Sequence, residues 1–413
     1  MDTIYQRVAG LDLHKKSIYA EVRCFSPDGK LRTELRTFGT MTCDLLELSD
    51  WLASFGVTHV AMEATGVLWK PVWNILEGRF ELLLANPREL KQVPGRKSDV
   101  KDCQWIAQLM QHGLLRSSFV PDRPQRELRD LTRHRAQLQD EHTRVANRIH
   151  KLLEDANIKL GSVASDILGA SGRDILERLA AGEQDAAQLA QLARGRMKPK
   201  IPQLELALQG KFRDHHRFML KQLLGHLDHL DEQIGQFSHR IEEIMAPLLD
   251  AELQEKLDAV PGIDRVTIEN VVAEIGTDMN QFPTDAHLAS WAGVCPGNEE
   301  SAGKRKRSKT TQGNRWLRRA LVEAAWAAQN TRDSYLCARY RRLIGRRGKK
   351  RALLAVGHTL LVIIYHILKN RVDYQDLGPD YFLRLEPARQ KRYLVKRLEQ
   401  LGYEVQLQPK QAA

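Results

Sequence analysis

Residues 8–38 have the sequence VAGLDLHKKSIYAEVRCFSPDGKLRTELRTF, and this stretch decides the fold of the N-terminal part of the chain. Its apolar and β-branched runs predict three short strands, at 8–13, 18–25 and 31–38. The tripeptide Pro27-Asp28-Gly29 predicts a turn between the second and third strands, because these residue types favour tight turns. This part of the chain therefore starts a sheet.

Helices and strands alternate after this stretch. The hydrophobic pattern predicts a helix at 42–55, a strand at 58–64, a helix at about 68–77, a strand at 80–85 and a helix at about 98–111. Three consecutive strands followed by alternating helices and strands are typical of an α/β domain. The order resembles that of a ribonuclease H-like (RuvC-type) sheet.

Two long helices are expected next, because apolar residues repeat at alternating spacings of three and four. The first series is Leu128, Leu131, Arg135, Leu138, His142, Val145, Ile149 and Leu152, and the second is Leu220, Leu223, Leu227, Leu230, Ile234, Phe237, Ile241, Ile244 and Leu248. The pattern predicts a coiled coil, either as an antiparallel hairpin within one chain or as a dimerisation element. The two polar seam residues of the first series are expected to set the register. The segment 157–203 between the helices has no assigned role.

The last third of the chain is predicted to be mainly helical. Leu257–Gly276 predicts two helices joined by a Pro-Gly-Ile turn, which either binds a phosphate through backbone N–H groups or simply connects the helices. Ala352–Leu368 is apolar but, at 17 residues, shorter than the roughly 20 that a membrane span needs, so a buried helix is expected. We predict a ribonuclease H-like domain at 1–120, a coiled-coil region at 121–250, a C-terminal domain at 251–375 and a peripheral tail at 376–413.

The charge of the chain points to a polyanionic partner. The 413 residues carry a net charge of +11, and Pro296–Arg351 alone holds 17 Lys and Arg against 4 Asp and Glu. A basic block of this density is typical of a surface that binds nucleic acid phosphates. The five cysteines are scattered without a CxxC pair, which favours a reducing cytoplasm and argues against a disulfide framework or a zinc site.

Four acidic residues form the candidate catalytic set. Asp12 lies in the first predicted strand, Glu63 at the end of the AMEATG strand, and Asp99 and Asp102 three residues apart at the start of a helix. Hard oxygen ligands of this kind suit Mg²⁺ or Mn²⁺, and such ions activate phosphodiester chemistry. Each acid taken alone is better explained as a surface carboxylate or helix cap, and the prediction depends on the set. His14 lies close to the first of these acids in the sequence, and we expect it to be a polar residue at a strand end with its hydrogen bonds satisfied rather than a metal ligand.

Several motifs resemble a known family. They are GLDLHK (10–15), AMEATG (61–66), NPRELKQVPGRKSDVKDCQWIAQL (86–109), VPGIDRVTIENVVAEIG (260–276) and SWAGVCPGNEESAGKRKRSKTTQGNRWLRRAL (290–321). Together they resemble the DEDD transposases of insertion-sequence family 110, which are bridge-RNA-guided recombinases. The resemblance implies that Asp12, Glu63, Asp99 and Asp102 bind the metal and that a serine in Ser301-Ala302-Gly303-Lys304 is the nucleophile. It also implies donor and target DNA, a guide RNA encoded by the element, a homodimer or homotetramer, and a place on the prokaryotic nucleoid.

The serine and its basic surroundings depend on this resemblance. Composition alone does not separate Ser301 from Ser308, and the resemblance favours Ser301. The residues predicted to contact nucleic acid are Lys304, Arg305, Lys306, Arg307, Lys309, Arg315, Arg318 and Arg319. Gly357-His358 with Tyr365 faintly resembles a tyrosine recombinase motif, but no arginine pattern completes such a site and core packing is expected.

Three functions are compatible with these features. The first is a DNA transposase in which Ser301 forms a phosphoserine link and carboxylate-bound Mg²⁺ assists. The second is a metal-dependent, junction-resolving nuclease that uses water instead of Ser301. The third is a non-catalytic nucleic-acid-binding scaffold with purely structural acids. An adduct between protein and DNA that survives denaturant separates the first two, and metal-dependent cleavage excludes the third.

Overall fold

The computed structural model describes residues 3–26, 28–87, 99–296, 299–301, 304–307, 310, 312–385 and 387–407, although not every side chain within its helices and strands. The chain divides into two compact units, Met1–Pro121 and Asp122–Ala413. The finer division into four parts stays a prediction.

A five-stranded mixed sheet forms the centre of the first unit. Its strands are β1 (Arg7–Leu13), β2 (Ile18–Phe25), β3 (Leu31–Phe38), β4 (His59–Glu63) and β5 (Glu81–Ala85), in the spatial order β3-β2-β1-β4-β5. Neighbouring strands among the first three run antiparallel, whereas β1, β4 and β5 run parallel. This is the strand order of a ribonuclease H-like sheet, as the sequence predicted. Gly29 has φ +76, which fits the predicted turn, and Pro27 lies outside the described residues.

Helices cover both faces of this sheet. They are α1 (Thr42–Ser54), α2 (Trp69–Leu76) and α3 (Asp99–Gln111). Leu11 and Ile18 pack with Leu48 of α1 and Leu76 of α2 on one face. Residues from β1 and β4 pack with Ile106 of α3 on the other face. The predicted alternation of helices and strands therefore produces three layers, with α3 alone over the second face among the described helices.

The second unit is almost entirely helical in its described part. Its helices are α4 (Arg123–Asp155), α5 (Leu160–Val163), α6 (Ala170–Ala181), α7 (Ala186–Ala190), α8 (Ile201–Ala207), α9 (Asp214–Met245), α10 (Ala251–Asp258), α11 (Arg265–Ile275), α12 (Asp285–Ala292), α13 (Arg315–Ala328), α14 (Tyr335–Arg347), α15 (Lys349–Asn370), α16 (Tyr381–Leu385) and α17 (Pro387–Gln400). Short 3₁₀ turns occupy Gly195–Lys200 and Met279–Gln281, and a small hairpin pairs β6 (Glu299–Ser301) with β7 (Lys304–Arg307).

The two long helices α4 and α9 pair antiparallel within one chain. His142 of α4 lies 3.3 Å from Asp231 of α9, while Asp155, further along α4, lies 2.8 Å from His216 near the start of α9. The long helices predicted from heptad spacing thus form a hairpin, and their role in assembly remains a prediction. The buried guanidinium of Arg135 donates to Ser238 of α9 at 3.5 Å and to Glu269 of α11 at 2.5 Å, and its expected role in setting the register stays a prediction.

The segment that had no assigned role, 157–203, folds against the far end of this hairpin. Leu160, Ile175 and Leu176 from its helices are fully buried, and they pack with Ile149 of α4 and Leu220 of α9 in one core. Aliphatic burial on this scale supplies most of the stabilisation that short helices lack on their own. The segment is therefore a folded cap on the hairpin.

The apolar helix α15 lies in the core of the second unit. By length and composition it is the one described helix that passes for a membrane span, yet 56% of its apolar window is buried within the protein. Tyr365 is 2% exposed, and its hydroxyl donates to the Phe282 carbonyl over 3.0 Å. This tyrosine is a core residue, as expected, and not part of a recombinase site.

Candidate functional site

Asp12 and Glu63 lie at the carboxyl ends of adjacent parallel strands, as the second-last residue of β1 and the last residue of β4. The register of β1 against β4 pairs Gly10 with Ala61 and Leu11 with Met62, so the two acids are the next residues in line. Paired strands lie about 4.8 Å apart, and side chains at equivalent positions of parallel strands share a face. Asp12 is 7% exposed and its Oδ2 lies 3.1 Å from Nε2 of His14. Both predicted acids therefore meet at the carboxyl edge of the sheet, and His14 has a hydrogen-bond partner.

The backbone of α3 crosses the same face in close contact with β1. A Cβ placed on Gly10 would lie 2.4 Å from both the Ala107 nitrogen and the Cys103 carbonyl oxygen. Two residues earlier, on the same face of the strand, Val8 packs against Ile106 and Met110 of α3. The helix therefore runs opposite to the strand, so that rising numbers in β1 meet falling numbers in α3.

This direction determines what faces the two acids. Asp12 lies two residues beyond Gly10 on the same face, about 6.6 Å further along the strand. The first turn of α3 lies one helical turn before Cys103, a rise of about 5.4 Å along the helix axis. That turn carries Asp102, which is half-buried one turn before Ile106. It also carries Asp99, whose side chain lies outside the described residues.

The electrostatics of this face are negative. Burial, together with the nearby carboxylates of Glu21 and Asp12, raises the pKa of Cys103 to about 12. A thiol surrounded by negative charge resists ionisation, because a thiolate would add to the repulsion. The same repulsion would be relieved by a divalent cation bound to the carboxylates.

Metal binding at this face has chemical support but no complete geometry. Carboxylate oxygens are the donors that Mg²⁺ and Mn²⁺ prefer, and the predicted set contains nothing else. Among the described side chains, however, no three His, Cys, Asp or Glu residues gather closely enough to hold a metal ion. The residues present thus fit a hard cation by type, with Asp12 and Glu63 adjacent and two more acids carried on α3.

Sequence reasoning missed Glu21. It lies in β2 directly across from Gly10, is 2% exposed, and accepts a hydrogen bond from Arg23 Nη1 at 3.1 Å. Arg23 Nε also donates to Gln111 Oε1 at the end of α3, at 2.9 Å. The signal was present, since Ile18, Ala20, Val22 and Cys24 alternate with it on the opposite, apolar face of β2.

The two ends of the segment that carries the predicted nucleophile lie close together. Its hairpin pairs Ser301 with Lys304, so the serine closes β6. At the root, Pro296 bridges to Thr310, and a Cβ on Gly293 would lie 2.5 Å from the Gly313 nitrogen. Two backbone segments can approach this closely only where both residues lack a side chain. We call residues 294–312 the serine arm.

A buried ionic network holds the exit of the serine arm. Asn314 caps α13, and its Nδ2 donates to Oε2 of Glu274 at 2.5 Å. Arg133 of α4 donates to both oxygens of Glu274, at 2.7 and 2.8 Å. Bidentate pairs of this type fix geometry as well as charge. The arm is therefore fastened to α11 and to the helical hairpin.

The predicted nucleic-acid contacts differ in their surroundings. Arg318 Nη2 donates to the Gly293 carbonyl at 2.7 Å, and Arg319 pairs with Asp140 at 2.7 Å and with Glu323 at 2.9 Å. The Arg315 guanidinium lies 4.5 Å from the ring centre of Trp316. Lys304, Arg305, Lys306 and Arg307 form β7, and their side chains, with the side chain of Ser301 and with Ser308 and Lys309, lie outside the described residues. Contact of this set with nucleic acid stays a prediction.

Solved structures give only weak likeness. RuvC of Thermus thermophilus aligns with 27% of this chain and 100% of its own, at 16% identity and a TM-score of 0.22. T. thermophilus RuvC in complex with a Holliday junction substrate aligns over the same shares, at 15% identity and a TM-score of 0.21. The ribonuclease H-like assignment therefore rests on the strand order alone.

Sequence relatives and family models agree with one another. The chain is 27% identical over 316 residues to the insertion element IS110 uncharacterized 43.6 kDa protein of Streptomyces coelicolor, covering 72% of this chain and 76% of that one. It is 25% identical over 333 residues to the transposase for insertion sequence element IS1111A of Coxiella burnetii, covering 78% and 81%. The IS110 DEDD transposase model matches residues 9–158, and the transposase model of the IS116/IS110/IS902 family matches residues 254–341. These two models together span more than half of the sequence, and the chain belongs to the IS110 family of transposases.

Proposed function

We propose that the protein cuts and rejoins the DNA of an insertion sequence, with the Ser301 hydroxyl as nucleophile and with Asp12, Glu63, Asp99 and Asp102 as ligands of Mg²⁺ or Mn²⁺. The observation that carries the proposal is the adjacency of Asp12 and Glu63 at the carboxyl ends of β1 and β4. The reversed direction of α3 supports the proposal, because the first turn of that helix, which carries Asp99 and Asp102, directly precedes the turn that contacts Gly10. An oxygen-only site of this kind suits phosphodiester chemistry.

The carboxylates and the serine have separate tasks. A divalent ion held at the carboxylates would polarise the scissile phosphate and stabilise the leaving oxygen. The Ser301 hydroxyl gives up its proton as its oxygen attacks phosphorus and forms a phosphoserine bond. The bond from phosphorus to the deoxyribose oxygen breaks, and that oxygen takes up one proton in exchange. Lys304, across the hairpin from Ser301, supplies a cation near the developing charge.

Covalent storage of the phosphate explains how cutting can be followed by rejoining. The phosphoserine keeps one phosphodiester-type bond for each bond broken, so no nucleotide hydrolysis is needed to reseal the strand. A deoxyribose hydroxyl from a second DNA end attacks the phosphoserine, and Ser301 leaves with its proton restored. A nuclease that used water would lose this bond and could not rejoin the ends.

Partners and assembly belong to the same proposal. Donor and target DNA are the substrates, and a guide RNA encoded by the element pairs with both. The carboxylates lie in one unit and Ser301 in the other. The serine of one chain is expected to complete the carboxylate site of another in a dimer or tetramer.

The test compares covalent adducts of variants with labelled DNA that carries an insertion-sequence end. We expect an adduct stable in denaturant with the parent and Ser308→Ala, none with Ser301→Ala, and no strand exchange with Asp12→Asn. Asp28→Asn, which changes an exposed carboxylate in a turn, is the matched control. Mixing Ser301→Ala with Asp12→Asn should restore some exchange through hybrid assemblies.

The other functions give different results in the same assay. Metal-dependent cutting by Ser301→Ala without any adduct would favour the nuclease that uses water. Binding without cutting in the presence of Mg²⁺ and Mn²⁺ would favour the scaffold. Full activity of both Asp12→Asn and Glu63→Gln would overturn the metal-site assignment.

A further inference from the structure

A dense basic surface lies where α14 meets α15, away in sequence from the serine arm. The segment RRLIGRRGKKR, residues 341–351, contains seven basic residues, and all of them are exposed. They are Arg341, Arg342, Arg346, Arg347, Lys349, Lys350 and Arg351. We call this surface the basic corner. The chain has no Asp or Glu between Asp333 and Asp373, so nothing nearby in sequence neutralises it.

The cations of the basic corner differ from other cations of this unit in their surroundings. Arg133, Arg265 and Arg319 each pair with a carboxylate of the protein. In the described part of the chain, the six corner residues other than Arg342 take part in no ion pair. Arg342 is set apart from them, and its guanidinium lies 4.7 Å from the ring centre of Phe382. Six cations in one short segment, without a carboxylate partner among the described residues, repel each other, and a polyanion would relieve that repulsion.

The start of α15 adds to this unfavourable charge. Its N-cap is Gly348, which provides no side-chain hydrogen bond, and its first turn contains no acid. Lys349, Lys350 and Arg351 instead occupy the first turn, where the helix dipole is positive. Basic residues at this end destabilise a helix unless an anion lies in front of it. The charge distribution therefore disfavours the isolated protein and favours a bound anion.

The helices that carry the basic corner are packed into the core of their unit. Leu336 and Tyr340 of α14 and Ala352, Leu353 and Val356 of α15 are buried, so both helices are packed on their inner sides. The cations are thus carried by two packed helices and the short turn between them. Seven cations spread over this segment match the successive phosphates of a nucleic acid backbone better than they match one small anion.

We propose that the basic corner binds the phosphodiester backbone of a nucleic acid, at a surface separate from the serine arm. The proposal deepens the proposed function, on which it rests for the presence of a nucleic acid. Contacts of this kind position the nucleic acid without reading its sequence. DNA and RNA offer the same phosphates, and the experiment below separates them.

The experiment measures the salt dependence of binding by the full-length protein to a 30-base-pair DNA duplex and to an RNA duplex of the same length. The variant combines Arg346→Gln, Arg347→Gln, Lys349→Gln and Lys350→Gln. Each DNA phosphate that a cation no longer neutralises reduces the log–log slope by about 0.9, so the slope should fall by about 3 to 4. Affinity at 0.15 M salt should fall at least about tenfold for the duplex that the corner binds. Weaker binding to one duplex only identifies that nucleic acid as the partner.

A second variant separates specific contacts from the general charge of the protein. It combines Arg144→Gln, Arg148→Gln, Lys151→Gln and Lys221→Gln, four exposed cations of the helical hairpin, and removes the same net charge. We expect its slope to change by less than about 1, since these cations lie outside the proposed surface. The corner variant should melt close to the parent, because it removes two cations from the first turn of α15, where they oppose the helix dipole, and two from the last turn of α14, where they favour it.

The outcomes distinguish this proposal from the proposed function. Equal slopes for parent and corner variant, or equal reductions in both variants, would overturn the basic corner as a binding site. If Ser301→Ala still abolished adducts, the proposed function would stand without it. Absence of DNA and RNA binding by the parent would overturn both.

Discussion

Gly10→Ala is the substitution that best tests the geometry of the acidic face. The added Cβ would lie 2.4 Å from the Ala107 nitrogen and the Cys103 oxygen, whereas ordinary van der Waals contact begins at 3.4 Å. Both neighbours are backbone atoms of α3, so they cannot rotate away as a side chain would. The helix must therefore move by about 1 Å from β1, the difference between these distances.

The displacement has two consequences of different size. Overpacking of this kind costs about 1–3 kcal/mol of stability. The same movement carries Asp99 and Asp102 away from Asp12 and Glu63, and a 1 Å misplacement in a catalytic site costs about 100-fold in rate. Under conditions where the variant is still folded, we expect adduct formation to slow by about 100-fold.

The assay pairs urea denaturation with the rate of adduct formation at saturating Mg²⁺. Gly235→Ala in α9 is the control, because its Cβ would meet no atom within 4 Å. Alanine is favoured over glycine in a helix by about 1 kcal/mol, so this control should be slightly more stable and fully active. A Gly10→Ala protein with parental stability and rate would refute the close packing of α3 on β1.

Three further perturbations follow from contacts in the second unit. Glu274→Ala leaves Arg133 and Asn314 without their acceptor and should cost about 3–5 kcal/mol in urea denaturation, whereas Glu243→Ala on the surface should leave the midpoint unchanged. Hydrogen bonds from the Leu253 backbone N–H and then from Arg371 hold the pKa of Asp250 below its usual range. The stability that this carboxylate contributes is therefore fully present above the carboxyl pKa of the unfolded chain, and it is lost as the pH falls through the lower pKa of the folded protein. Asp250→Ala should therefore lower the melting temperature at pH 7, with a difference that shrinks below about pH 4; a constant difference would contradict this. Leu230→Glu with Phe237→Glu places carboxylates in the α4–α9 contact and should reduce melting temperature and helicity, while Gln236→Glu should change neither.

The sequence predicted the elements of the first unit because each has a strong local pattern. The strand ending at Glu63 and the strand carrying Asp12 are short apolar runs, and the parallel pairing of such strands brings their ends together. The position of α3 was not predictable in this way. It depends on Gly10, whose missing side chain permits the approach. A glycine in a strand can mark a bulge, a bend or a close backbone contact, and it does not show which segment approaches.

Long-range ionic pairing escaped prediction for a related reason. Arg135 occupies a heptad seam position and does contact Ser238 of α9, but local spacing gave no sign of its carboxylate partner Glu269, which is 134 residues away. The basic block was recognised from composition, but composition does not show which cations are already paired. Only the fold reveals that Arg319 is neutralised by Asp140 and Glu323.

The helical hairpin has a thermodynamic consequence for assembly. The apolar faces of α4 and α9 are buried against each other inside one chain, so this contact adds nothing to subunit association. The midpoint of its unfolding should therefore not vary with protein concentration. An exchange of hairpin arms between two chains would require the folded cap at 157–203 to leave the core that it forms with both helices. A swapped oligomer would therefore have to open this core first, whereas a dimer or tetramer in which each chain keeps its own hairpin would not.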